Sequence, residues 1–392
     1  MDEQEVEIAV VGAGITGIAM ALALAKAGRN VTLLSPGPLP TRVPDQAPDG
    51  RTAALLQPAI ELLTRLGVFD PTGLGAEPIY RLRIVNMADP AGPSITFDAA
   101  EIGLDAFGWN IPNAALASAL AHGIRHEPQV TVLEGAALAS VVETRDRLVL
   151  RAGPHRLAAR LVIGADGRDS MVRETAAIGT TDKDRGQTAI VCRFGHQKPH
   201  RNISTELHKK GGPFTMVPLP GRNSSLVWVD TDARSAERLA MADAAFRAAM
   251  AEHATPWLGE IGAVSIRHAY PIRARLAQAL TAPRRALVGE AAHVMSPLGA
   301  QGLNLSLRDV QTLAALLADH PDDPGDDALL AAYAAARATD VKARFWGVDT
   351  LNMLVKGSLP PFRQASSLAL GLLERLPPAR RLLMQGLMQG TG

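Results

Sequence analysis

A single cysteine, Cys192, stands in a chain of 392 residues, so an internal disulfide has no second partner. Cysteine and histidine do not recur at metal-ligand spacings either, and no metal site is expected. A charge excess is missing as well. Lysine and arginine number 40 against 39 acidic residues, a formal net charge of +1, which does not suit a polyanion, and nucleic acid is not an expected partner. No stretch approaches the roughly 18 uninterrupted apolar residues of a spanning helix. The opening MDEQEV is acidic and runs straight into a strand pattern, without the basic and apolar regions of a secretory signal. The expectation is a cytoplasmic protein whose only membrane contact would be peripheral, at the inner face.

What the chain does have is apolar residues in quantity, 47% against 20% charged, enough for a large core, and a length that calls for two joined domains. Residues 6–35 read as strand, helix, strand: the run IAVVGAG, an alanine- and leucine-rich segment closing at Gly28, then NVTLLS. Two further short apolar runs end in glycine turns, 161–163 before Gly164-Ala165-Asp166-Gly167 and 286–288 before Gly289-Glu290. All three suit the parallel sheet of one α/β domain of Rossmann type, assembled from distant pieces. Between them, residues 79–98 and 186–271 alternate strand-like segments with proline and glycine turns, which predicts an inserted, mostly antiparallel β-sheet domain that holds the substrate. The first domain then comprises 1–78, 99–185 and 272–340. The remainder, 341–392, is helical in pattern, with breaks at Pro360-Pro361 and Pro377-Pro378.

Gly12, Gly14 and Gly17 form G-x-G-x-x-G where the first strand gives way to its helix. Glycine there lets the backbone turn tightly and come close to a pyrophosphate at the positive helix end. The acidic residue that usually closes the second strand and binds a ribose hydroxyl is absent, and Ser35 stands in its place. Ser35 is able to make one hydrogen bond to a ribose, or to serve as an ordinary loop serine.

With these residues in view, the chain resembles the class A flavoprotein hydroxylases, of para-hydroxybenzoate hydroxylase type, and within them the ubiquinone-biosynthesis hydroxylases. The glycine fingerprint, GADGRDSMVR at 164–173 and GEAAHVMSPLGAQGLNLSLRD at 289–309 carry the resemblance, supported by RTAALLQPAIELLTRLGVFD and YPIRAR. It implies FAD as cofactor, with Glu290 at the ribityl hydroxyls where the family has aspartate. It also implies that Pro297, Gly299, Ala300, Gln301, Gly302, Leu303 and Asn304 form a turn and helix start at the flavin pyrimidine edge, where backbone N–H groups and the helix dipole would stabilise reduced flavin. By the same resemblance Arg51 lies beside the flavin and Asn113 contacts the cofactor. Asp166 and Gly167 sit where FAD and a transient NADPH or NADH meet, and Arg173 pairs with Asp166, with a phosphate, or within the structure only.

The implied reaction is hydroxylation of an aromatic ring by O2 through a flavin C4a-hydroperoxide, on an apolar substrate such as a polyprenylated phenol. That chemistry puts the reactive oxygen on the cofactor, so no catalytic residue is assigned, His293 included. Cys192 reads as a core residue, as do Trp109, Trp228 and Tyr270, although each ring could line a pocket. Arg380 and Arg381 beside Leu382, Leu383, Met384, Leu387 and Met388 fit a membrane surface, a partner enzyme of the same pathway, or a helix that covers the first domain. Two other readings stay open: a related flavin reductase or halogenase, to which Trp109-Asn110-Ile111-Pro112 bears a faint likeness, and a non-catalytic FAD-binding scaffold, suggested by Ser35 and Glu290.

Overall fold

The computed structural model describes residues 3–41, 50–87, 94–295, 301–320, 322–356 and 377–389. Elements are numbered in chain order. The first sheet holds β1 (Gln4–Val11), β2 (Val31–Ser35), β8 (Val130–Glu134), β9 (Leu138–Glu143), β10 (Leu148–Ala152), β11 (His155–Gly164), β18 (Thr281–Ala282) and β19 (Arg285–Leu287). Its order is β18-β19-β11-β1-β2-β8, with β10 and β9 following off β11. The central strands β19, β11, β1, β2 and β8 are all parallel. As the three glycine-ended runs predict, 6–11, 161–164 and 285–287 lie side by side.

Strands covered on both faces become continuously apolar, which is why β1 reads IAVV and Ile8, Ala9 and Val10 have no exposed surface. The helices packed around this sheet include α1 (Ile15–Lys26), α3 (Asn113–Arg125) and α7 (Gln301–Asp319). Leu305, Val310, Leu313 and Leu317, read as helix core from the sequence, are buried on α7. Each fully buried Leu or Ile contributes about 1.5–3 kcal/mol.

The second sheet has the order β20-β17-β12-β15-β14-β13-β5-β6, with β16 (Ile261–Val264) off β12. It is built from β5 (Arg81–Asn86), β6 (Ser94–Asp98), β12 (Thr180–His196), β13 (Ile203–Lys209), β14 (Gly212–Leu219), β15 (Asn223–Thr231), β17 (His268–Ala277) and β20 (His293–Val294). Antiparallel pairing runs throughout except for β13 against β5, which is parallel. The ladder extends past 186 and 271: β12 begins at Thr180, β17 ends at Ala277, and β20 comes from just beyond Glu290. One face is closed by α6 (Asp243–Leu258), whose Phe246, Met250, Ala254 and Leu258 pack on Cys192, Phe214, Leu226 and Trp228. The helix α5 (Asp232–Ala240) precedes it, and α4 (Met171–Thr175) follows the second glycine turn of the first sheet.

A small third sheet, β3 (Thr52–Leu56), β7 (Gly108–Pro112) and β4 (Glu77–Ile79), lies next to α2 (Gln57–Arg65) and joins the two larger ones. Thr52 Oγ1 donates to Ser225 Oγ at 3.0 Å, and Asn110 Nδ2 donates to the Pro218 carbonyl at 2.8 Å. These bonds fix which face of the second sheet turns toward the first, the one that carries Ser225 and, at the same alternation, Val227.

The chain continues as α8 (Asp327–Lys356) and α9 (Pro377–Gln389). Pro377-Pro378 opens α9 instead of breaking a helix, because a first-turn proline gives up no intrahelical hydrogen bond. Pro360-Pro361 lies outside the described residues. Met384 of α9 is buried with Ile95, Phe97 and Phe107, and Arg380 donates to Glu101 at 2.8 Å.

Candidate functional site

The carboxyl ends of the parallel strands bring three turns into contact. Gly12 has φ of +103°, and a Cβ there would collide with the Ala165 carbonyl and the Asp166 backbone. Gly17 faces the Gly12 carbonyl with no room for a Cβ. Those two glycines let α1 and the 164–167 turn close on β1, and Ala165 N donates to Val11 O at 2.8 Å. Gly14 differs. Its φ is −76°, open to any residue, and among the described residues nothing lies within 4 Å of where its Cβ would stand. Protein packing does not account for a glycine there, whereas a ligand brought against the backbone does. Among the described residues no side chain caps α1, and its first turn has no acidic residue, so the positive helix end is not neutralised by them.

The second turn is held from within. Asp166 accepts from Ser170 Oγ at 2.5 Å and from Val172 N at 3.1 Å, and thereby orders the start of α4, while Gly167 takes φ of +82°. Arg173 pairs neither with Asp166 nor outward: it donates to the carbonyls of Ala291 and Arg168, both at 2.8 Å. It ties the second turn to the third. In the third, Val288 N donates to Gly164 O, Gly289 takes φ of +62°, and Glu290 extends into the open, more than half exposed, with Arg168 Nε 3.9 Å away.

Arg51 and Asn113 are neighbours across the small sheet, since Asn113 N donates to Arg51 O at 3.1 Å. The Arg51 guanidinium lies 5.4 Å over the Tyr270 ring. Asn113 Oδ1 is buried and has no hydrogen-bond partner among the described residues, a cost that a ligand donor would remove. Ser35 is buried and donates to Gly37 O at 2.6 Å, a local turn bond. Beside it on β8, Glu134 accepts from Leu39 N at 2.8 Å, so a carboxylate does stand at this strand end, one strand over from the expected position.

At the start of α7, Gln301 and Asn304 are buried and Gly302 has open space at its Cβ position, while Leu303 packs on the first core. The Asn304 amide clamps β3: Oδ1 accepts from Leu56 N at 2.8 Å and Nδ2 donates to Ala54 O at 2.9 Å. Pro297, Gly299 and Ala300 lie outside the described residues.

Of the remaining candidates, Trp109 meets Phe69 edge-on at 5.6 Å, and Trp228 is core beneath α6. Cys192 is buried, and that burial pushes its thiol up to about 12, so it holds no thiolate at neutral pH. His293 has a fully buried side chain whose Nε2 lies 2.7 Å from Asp309 Oδ2. Asp309, Arg337, Asp340 and Arg344 were not singled out from the sequence. The spacing of the last three, one face of a helix at i, i+3 and i+7, was the available signal.

The three turns thus meet at the carboxyl ends of the parallel strands, and the small sheet ties them to one face of the second sheet. Residues 5–345 match the FAD binding domain family, and the chain belongs to it, within the class of flavoprotein aromatic hydroxylases. It is 33% identical over 386 residues to the ubiquinone hydroxylase UbiL of Rhodospirillum rubrum, spanning 97% of this chain and 89% of that protein. It is 32% identical to the 3-demethoxyubiquinol 3-hydroxylase of Escherichia coli, across 97% of this chain and 98% of that one. The fold superposes on p-nitrophenol 4-monooxygenase PnpA of Pseudomonas putida with a TM-score of 0.80 at 18% identity, covering 99% and 100% of the two chains. Among the described residues no helix is long and apolar enough to cross a membrane.

Proposed function

We propose that this chain is an FAD-dependent monooxygenase that hydroxylates the ring of a polyprenylated phenol in ubiquinone biosynthesis, using O2 and NADPH or NADH. The observation that carries the reading is the meeting of three glycine turns at the parallel strand ends, one of them with a glycine position that no described residue fills. The residues present fit FAD. Gly12, Gly14, Gly17 and the α1 amino end would hold its pyrophosphate, Ser35 would meet the adenosine ribose, and Glu290 would take the ribityl hydroxyls. Asn113 would supply an acceptor, and Arg51 would lie alongside the ring system.

When bound, FAD reduced by the nicotinamide supplies activated oxygen. This chain's part is then to bind, orient and exclude water. Backbone N–H groups of Gln301, Gly302, Leu303 and Asn304, with the α7 dipole, would face the pyrimidine edge and stabilise negative charge there. Asp166 and Gly167 would border the approach of the reductant, a transient visitor for which no second glycine fingerprint is needed.

On the sheet face over this site Val191 pairs with Val227 on one side and His268 on the other, and Ala189 pairs with Val229 and Tyr270, so apolar side chains share the face with one imidazole and one phenol. That suits an aromatic ring with a greasy tail. Residues 1–78, 99–185 and 272–340 would make up the cofactor-binding unit and 79–98 with 186–271 the substrate unit, with β12, β17 and β20 of the second sheet running past those bounds. Such a substrate is collected from lipid, and Leu382 of α9 is 70% exposed beside the exposed Arg381, a pairing that supports peripheral contact with a membrane or with other enzymes of the pathway. Ring hydroxylation coupled to NADPH oxidation, measured by product mass spectrometry for prenylated and simple phenols, tests the reading. Prenylated phenols should turn over faster and with less uncoupled peroxide; faster coupled turnover of simple phenols would remove the substrate assignment.

A further inference from the structure

A row of buried charges runs from the third glycine turn to α8. Gly289 N donates to Asp309 Oδ2 at 2.9 Å, and His293 Nε2 meets the same oxygen at 2.7 Å. The other oxygen of Asp309 accepts from Arg337 Nε at 2.8 Å, and Arg337 Nη1 donates to Asp340 Oδ2 at 2.8 Å. Asp340 Oδ1 accepts from Arg344 Nε at 2.6 Å, and Arg344 donates in turn to the side-chain carbonyl of Gln301, the first residue of α7. Arg308 adds a further cation 3.5 Å from Asp340.

The two ends of this row hold Gly289 and Gln301, residues of the two segments assigned above to the flavin. One end fixes the turn that aims Glu290, the other fixes the first residue of the helix whose amino end faces the pyrimidine edge. Gly289 itself is wedged between Thr16 of α1 and Ser306 of α7, so a shift of α7 moves the turn as well. Burial alone would raise the Asp340 carboxyl, but hydrogen bonds from Arg344 and Arg337 outweigh it and hold the acid below its ordinary value. Asp309, in full burial, is held below its ordinary value in the same way by His293, Arg337 and the Gly289 N–H. Asp309 and Asp340 are therefore both carboxylates at neutral pH. For stability alone the row is a poor device, since well-packed apolar residues often do as well as a buried ion pair.

We propose that Arg344 and Asp340 of α8 are positioning residues for the flavin, setting the α7 amino end through Gln301 and the Gly289-Glu290 turn through Arg337 and Asp309. The inference rests on the flavin reading above. It assigns α8, which supplies no cofactor motif, a part in tuning the cofactor. If α7 is loosened at Gln301, the N–H groups and dipole at its amino end no longer point at one place, and reduced flavin loses stabilisation relative to oxidised flavin.

The test uses the full chain with Arg344→Met, Gln301→Met, the double variant and Arg344→Lys. FAD dissociation constants, the midpoint potential of bound flavin and apoprotein melting temperatures are read for each. Each single methionine variant should weaken FAD binding on the order of tenfold and move the potential more negative, the double should be no worse than the stronger single, and lysine should restore part of both. Gln301→Met leaves the buried ions paired, and so carries the test if Arg344→Met does not fold. A fall in melting temperature with unchanged FAD affinity and potential would make the row merely structural and overturn the proposal. A parent protein that takes up no FAD would instead remove the flavin reading on which it stands.

Discussion

Replacing Gly14 and Gly17 separately with alanine distinguishes a glycine kept for a ligand from one kept for packing. At Gly14 the new methyl group enters space at φ of −76° with no atom of the described residues within 4 Å. Apoprotein stability should stay within about 0.5 kcal/mol of the parent, as for substitutions away from packed features. A methyl group there nevertheless occupies the volume through which a pyrophosphate reaches the α1 amino end. FAD affinity should fall at least about tenfold, about 1.4 kcal/mol. At Gly17 the methyl group lands far inside contact distance of the Gly12 carbonyl, a backbone atom that moves only with the whole turn. Overpacking of that kind costs about 1–3 kcal/mol, so the apoprotein itself should melt lower. The assay is a pair of measurements on flavin-stripped protein: thermal melting without ligand, then titration with FAD followed by quenching of flavin fluorescence. A Gly14→Ala protein that binds FAD like the parent would refute the placement of the pyrophosphate. One that melts several degrees lower without ligand would show that Gly14 serves packing after all.

Three further perturbations address other parts of the molecule. Asn304→Ala strips Leu56 N and Ala54 O of their partners, and should cost about 1–3 kcal/mol in urea unfolding of the apoprotein; an unchanged midpoint would mean that the clamp on β3 carries no load. Lys209 lies 4.5 Å over Trp228 and 3.2 Å from His253 Nε2, and burial, with Arg238 nearby, lowers its ammonium from 10.5 to about 8. The unfolded chain thus binds the proton more tightly, so the penalty is full below pH 8 and stability should rise between about pH 8 and 10.5; Lys209→Met should flatten that rise, and an identical pH profile would count against the lowered value. Removal of α9 uncovers Ile95 and Phe97, which pack with Met384, and should lower the melting temperature and abolish co-sedimentation with anionic liposomes; unchanged sedimentation would leave α9 as a cover only.

The cradle was legible because its chemistry is local. A glycine fingerprint at a strand-to-helix junction and two more apolar runs ending in glycine turns announce themselves over a few residues each, and the sheet joins them as that pattern implies. Pairing across the second sheet was less visible. Nothing in β20, two residues beside the third turn, says that it will extend the ladder beyond β17, and β13 against β5 is parallel in a sheet whose alternation suggested antiparallel pairing. The boundaries at 186 and 271 followed turn residues, whereas the ladder follows backbone hydrogen bonds that those turns do not interrupt. Asn304 is expected at the cofactor through its motif and its backbone N–H, and nothing in the sequence tells that its side chain clamps β3, a partner far away in the chain. Arg337, Asp340 and Arg344 stayed hidden for a plain reason: on a helix, arginine and aspartate at such spacing read as a solvated face, and only the packing of α8 on α7 reveals that the face is turned inward.

The central claim is that the three glycine turns hold FAD, and equilibrium titration of the flavin-stripped chain with FAD, read by flavin absorbance and fluorescence, tests it most directly. Saturable binding of one FAD per chain, with the absorbance changes of a flavin moved out of water, is the predicted result. A chain that stays colourless after reconstitution while remaining folded would contradict it.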